Sequence, residues 1–140
     1  MLEKLFAPLA GVGELILRLA LGIVFLPHGL PKLKRPAETA GLVKQIGMPA
    51  PSLLAWLVAL LESVGAVMLI VGLATRLVAL GLAVDMLVAI AAVRIRMSKA
   101  PFTSTPQAQG WEFEFALMAM ALALVFTGGG RLALDRYLGL

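Results

Sequence analysis

Apolar residues fill four stretches of the chain, and polar residues gather between them. A helix needs about 20 predominantly apolar residues to cross a bilayer. The four stretches run over Val12–Leu33, Leu53–Leu73, Leu77–Val93 and Trp111–Thr127, the last two near the lower limit of length. In lipid, helices satisfy the backbone hydrogen bonds of such segments within the segment itself. The pattern therefore predicts an all-α, integral membrane four-helix bundle, with residues 1–140 as a single transmembrane domain. The first stretch has no A-x-A-like exit and runs into a charged, proline-rich turn, so it reads as a retained span rather than a cleaved signal.

The connections differ in character. Between spans one and two, "PAETAGLVKQIGMP" places Pro36 in a first-turn position and Gly47 as a terminator. Leu42, Val43 and Ile46 share one face there, which predicts a short interfacial helix. "GLATR" reads as a tight turn, and "RMSKAPFTSTPQAQG" as an irregular polar loop.

Composition strengthens this picture. The chain is 61% hydrophobic and only 14% charged, with a mean hydropathy of +0.97. Soluble domains carry nearer a quarter charged residues. The net charge of +4 fits loops beside an anionic leaflet and not a nucleic-acid surface. With no cysteine, the chain itself carries no disulfide, iron–sulfur cluster or thiol relay. Seven Lys and Arg lie in the loops after spans one and three (Lys32, Lys34, Arg35, Lys44, Arg94, Arg96, Lys99). The termini and the second connection hold four (Lys4, Arg76, Arg131, Arg136), so the positive-inside rule sets the long loops in the cytoplasm and both termini outside it.

Charges inside the spans carry the candidate chemistry, because an ionised group in hydrocarbon costs several kcal/mol unless paired. Arg18, Glu62 and Asp85 are expected to meet toward the middle of the bundle, with the Arg18 fork as hub and Glu14 one turn before it. That cluster reads either as a buried ion-pair knot fixing helix order or as a site for a proton, a small anion or a quinone head. A second cluster is expected at the cytoplasmic ends. There His28 and Lys32, one turn apart behind Pro27, would face Glu112 or Glu114, near Arg94 and Arg96. Gly22, Gly29, Gly65 and Gly72 suit close helix packing, and the run at Gly128–Gly130 a helix stop.

These pieces taken together resemble the DoxX family of small four-span bacterial membrane proteins. The resemblance rests on "LRLALGIVFLPHGLPKL" (Arg18, Gly22, Gly29, Lys32), "GMPAP" and "ESVGAVMLIVGLATRL" (Glu62, Gly65, Gly72, Thr75, Arg76). It extends to "WEFEF" and to "TGGGRLALD" (Gly128, Gly130, Asp135). Asp85 departs from the pattern, standing where the resemblance implies an apolar residue and offering Arg18 a second partner. The resemblance implies a subunit of a redox system in the bacterial inner membrane. Such a subunit docks an oxidoreductase partner, binds quinone and has no intrinsic cofactor, so that it is less a catalyst on its own than part of a complex. Homo-oligomers fit as well. The alternatives are a transport module for protons or small solutes, with Glu62 and Asp85 as carriers, and an assembly factor whose charges only order the bundle.

Overall fold

The structure, a computed structural model, describes residues 2–140 and is all-helical among them. A short helix α1 (Leu2–Phe6) leads into α2 (Val12–Lys34), followed by α3 (Pro36–Gln45), α4 (Pro51–Val71) and α5 (Thr75–Met97). The chain ends with α6 (Glu112–Thr127) and the single turn α7 (Leu134–Leu138). Helices α2, α4 and α5 are long and apolar enough to cross a membrane. Helix α6 has 16 residues and packs in the same core.

The core is narrow. Leu21 and Phe25 of α2 meet Ala66 and Leu69 of α4, Ala79, Leu82, Ala83 and Met86 of α5, and Leu117, Ala121 and Leu124 of α6. More large apolar residues point outward than inward, among them Ile23, Val64, Val67, Leu80, Leu87 and Phe126. Such a surface is costly in water and ordinary in lipid, which explains why the helices are apolar all round.

Small residues fix the register of α2 against α4. A Cβ on Gly29 would lie 2.5 Å from the backbone of Glu62 and Ser63, and one on Gly22 would overlap Ile70. The two helices therefore touch backbone to backbone at Gly29, so Glu62 lies at the depth of residues 29–32 of α2. Two long helices also depart from α geometry. Helix α4 widens to a π-helix over Leu61–Gly65, and α5 does so over Ala89–Met97. Widened turns of this kind often accompany functional sites.

At the opposite end the chain closes on itself. Gly72 ends α4 with φ 76°, a left-handed turn that glycine adopts at no steric cost. Asp135 of α7 accepts hydrogen bonds from the N–H groups of Ala74 (2.5 Å) and Thr75 (2.8 Å), capping α5 from a distant part of the chain. Arg76 donates to the carbonyl of Phe126 at the end of α6, where Gly128 turns the chain with φ 78°.

Candidate functional site

Two clusters of ionisable groups are built into the bundle, and their membership differs from the sequence expectation. Arg18 does not meet Glu62 or Asp85. It is 0% exposed, donates through Nη1 to the carbonyls of Leu69 and Ile70 at 3.3 Å, and through Nη2 to the carbonyl of Leu132 at 3.1 Å. Helix α4 ends at Gly72, whose N–H also reaches the Leu69 carbonyl at 3.0 Å, and the guanidinium fork adds donors to Leu69 and Ile70 there and to Leu132 in the segment before α7. No ion pair joins Arg18 to Glu14 among the described residues. The register set at Gly29 is the physical reason for the separation. Arg18 and Lys32 are 14 residues apart on α2, about 21 Å at 1.5 Å per residue.

The partner of Glu62 is Lys32. Nζ of Lys32 lies 2.5 Å from Oε2 of Glu62, whose side chain is almost wholly buried. Asp85 reaches the same place from α5, its carboxyl beside that of Glu62, and its Oδ2 is buried with no hydrogen-bond partner among the described residues. His28, Lys32, Arg94 and Glu114 do line one cavity, but the ion-pair partner of Glu114 there is Arg94 and not Lys32. Nε and Nη2 of that arginine approach Oε1 of Glu114 at 2.7 and 2.6 Å. Glu112 turns back to the preceding loop and accepts the N–H of Ser104 at 2.8 Å. His28 stays exposed, with Nδ1 2.7 Å from the carbonyl oxygen of Val24.

The triad of Lys32, Glu62 and Asp85 lies in the wall of a cavity of about 320 Å³. The rest of the lining is almost entirely apolar: Leu42 and Val43 of α3 and Ile46 just after it, Leu54, Leu57, Val58 and Leu61 of α4, and Val84 and Val88 of α5. Helix α3 forms one wall because its apolar face packs over α4, burying Val43. Leu57 and Val84 are exposed on the outside of the bundle as well as lining the cavity, so the chamber borders the lipid-facing surface. A second cavity, about 220 Å³, lies on the other side of the Lys32–Glu62 pair and is bordered by His28, Arg94, Gln109 and Glu114.

The sequence reading brought Glu62 and Asp85 together but gave them Arg18 in place of Lys32, and it missed the wall that α3 contributes. The glycine at position 29 is the signal that could have found the register, since it must lie where two helix backbones touch. Chemically, the triad presents one ammonium donor and two carboxyl groups to an otherwise apolar chamber. It can hold a small polar head by hydrogen bonds while apolar walls take an attached tail. Among the described residues no group of three His, Cys, Asp or Glu side chains converges to hold a metal ion.

No solved structure matches the chain. It is 38% identical over 91 residues to a protein of Bacillus subtilis (strain 168) named "Putative oxidoreductase CatD", covering 65% of this chain and 64% of that one. It is 36% identical over 81 residues to "Uncharacterized membrane protein Rv3486" of Mycobacterium tuberculosis (strain ATCC 25618 / H37Rv), covering 57% of this chain and 50% of that one. The chain thus spans between half and two thirds of the length of these relatives. The sequence pattern of the DoxX family matches residues 13–95, which take in Arg18, His28, Lys32, Glu62, Asp85 and Arg94, and the chain, a multi-pass membrane protein, belongs to that family.

Proposed function

We propose that this chain is a membrane subunit of a redox system, binding a quinone in the chamber beneath α3 and docking an oxidoreductase partner at the adjoining surface. The reading takes α2, α4, α5 and α6 as four spans of the bacterial inner membrane, with α3 in the interface. The termini lie outside the cytoplasm, as the Lys and Arg distribution favours. One observation carries the reading: an apolar chamber at the lipid-facing surface whose single polar feature besides Thr39 is the Lys32–Glu62–Asp85 triad.

The residues present fit such a ligand. A cavity of about 320 Å³ lies at the lower end of the range for small-molecule sites and suits a ring and the first part of its tail. The buried, unpartnered Oδ2 of Asp85 accepts a hydrogen bond from a ring hydroxyl, and the Lys32 ammonium donates to a ring carbonyl. Leu57 and Val84 let the tail pass into lipid. When bound, a quinone carries two electrons and two protons between partners in the membrane; the partner protein supplies the electrons. The protein's part is to orient the ring at the triad and exclude water with α3. The surface offered to the partner is the loop before α6, which is braced by edge-on packing of Phe102, Trp111 and Phe115 with ring centroids 4.6–6.2 Å apart. The name of the Bacillus relative agrees with a redox setting.

A short-chain benzoquinone titrated into the protein in lipid nanodiscs should bind saturably at one site. Lys32→Met and Asp85→Asn should each weaken that binding about tenfold or more, a loss of about 1.4 kcal/mol. Equal binding by both variants and the parent would sink this reading.

A further inference from the structure

The Lys32–Glu62 pair separates two chambers of opposite character. Lys32, Glu62, Met86 and Ala89 line both. The apolar chamber lies toward α3 and lipid. The other is bordered by exposed His28 and Gln109 and leads to the polar loop before α6. We infer that this second chamber is a proton route, running from the aqueous face through His28 to Glu62 and Asp85. The inference rests on the quinone reading only for what finally takes or gives the proton.

The tautomer of His28 supports it. A carbonyl oxygen only accepts, so the 2.7 Å contact with Val24 puts the ring hydrogen on Nδ1. The neutral ring then keeps a lone pair on Nε2, free to take a proton at the chamber mouth. The charges facing the route come from four helices: His28 and Lys32 on α2, Glu62 on α4, Asp85 and Arg94 on α5, and Glu114 on α6. Arg94 and Glu114 neutralise each other at 2.6 Å. Lys32 alone faces two carboxyl groups, one of them almost wholly buried, so the triad holds one carboxyl more than it has cations.

The step balances. A proton leaves Nε2 of His28, whose N–H pair reverts to a lone pair. It crosses through water in the polar chamber and forms an O–H bond on Glu62. The adjacent Asp85 carboxyl receives it by the same exchange, and bulk water reprotonates His28. Run backwards, the route drains protons released in the apolar chamber.

Infrared spectroscopy of the protein in nanodiscs, rapidly moved from water to deuterium oxide, tests this without any redox partner. A protonated-carboxyl band should be present in the parent and vanish in Asp85→Asn with Glu62→Gln. Its deuterium shift should slow about tenfold or more in His28→Gln. Gln109→Trp, which plugs the mouth and removes no titrating group, should slow it too. Benzoquinone affinity should stay unchanged in His28→Gln. Absence of the band in the parent, or exchange at the parental rate in both folded variants, overturns the route. If benzoquinone fails to bind while exchange still depends on His28, the quinone reading falls and the proton route stands.

Discussion

Gly29→Val should prevent α2 and α4 from closing and should remove ligand binding together with stability. A Cβ at position 29 would stand 2.5 Å from the Glu62 carbonyl carbon and the Ser63 nitrogen. Those are backbone atoms inside a helix and cannot rotate aside, so the helices must part. Parting them loosens Leu21 and Phe25 from Ala66 and Leu69, and draws Lys32 from Glu62. Overpacking commonly costs 1–3 kcal/mol, and a backbone-to-backbone clash belongs at about 3 kcal/mol or above. Thermal unfolding in mild detergent measures the effect. Gly29→Ala should fall between the parent and Gly29→Val. Parental stability in both would mean that the helices do not touch at this depth.

The second large effect belongs to Arg18. Replacing it with Met keeps much of the volume but removes the guanidinium bonds to Leu69, Ile70 and Leu132, leaving Leu69 only the N–H of Gly72. A buried hydrogen bond to a charged group contributes about 1.5–3 kcal/mol, so losing three bonds from one side chain should cost about 3 kcal/mol or more. The pattern of coupling is more telling than the size. Arg18 and the Lys32–Glu62–Asp85 triad lie at opposite ends of α2, so Arg18→Met and Glu62→Gln should act additively on stability. Lys32→Met and Glu62→Gln should couple, because the second removal no longer strands a buried charge. Strong coupling of Arg18 to Glu62 would restore the single-knot arrangement that the sequence alone favours.

That contrast shows what a sequence can and cannot reveal here. Apolar runs of about 20 residues announce spans by length alone, and the helix at Pro36–Gln45 follows from Pro36 and the shared face of Leu42 and Val43. The ionisable residues were legible as a set, because charges in hydrocarbon are few and each must be satisfied. Of their pairing, Glu62 with Asp85 was legible and the cation between them was not, because depth counted along isolated helices ignores axial sliding, and a slide of seven residues moves a partner by about 10 Å. Gly29 sets that slide, yet a glycine stripe marks a contact without naming the residue opposite. Arg18 shows a second blind spot. Charges were matched with charges, whereas this arginine serves backbone carbonyls at a helix end that only the fold brings to it. The chamber under α3 needed three elements in place, and no spacing within one of them encodes it.

The proposed function stands on whether the chamber beneath α3 holds a quinone ring at the triad. The most direct measurement is photo-crosslinking with an azido-benzoquinone in nanodiscs, mapped by mass spectrometry of the peptides. The expected result is labelling of the chamber lining around Leu42, Ile46, Leu57 and Val84. Excess unlabelled benzoquinone should compete it away, and Asp85→Asn should reduce it. Labelling spread over outward residues such as Ile23, Leu80 and Phe126, unaffected by competitor, would contradict the account.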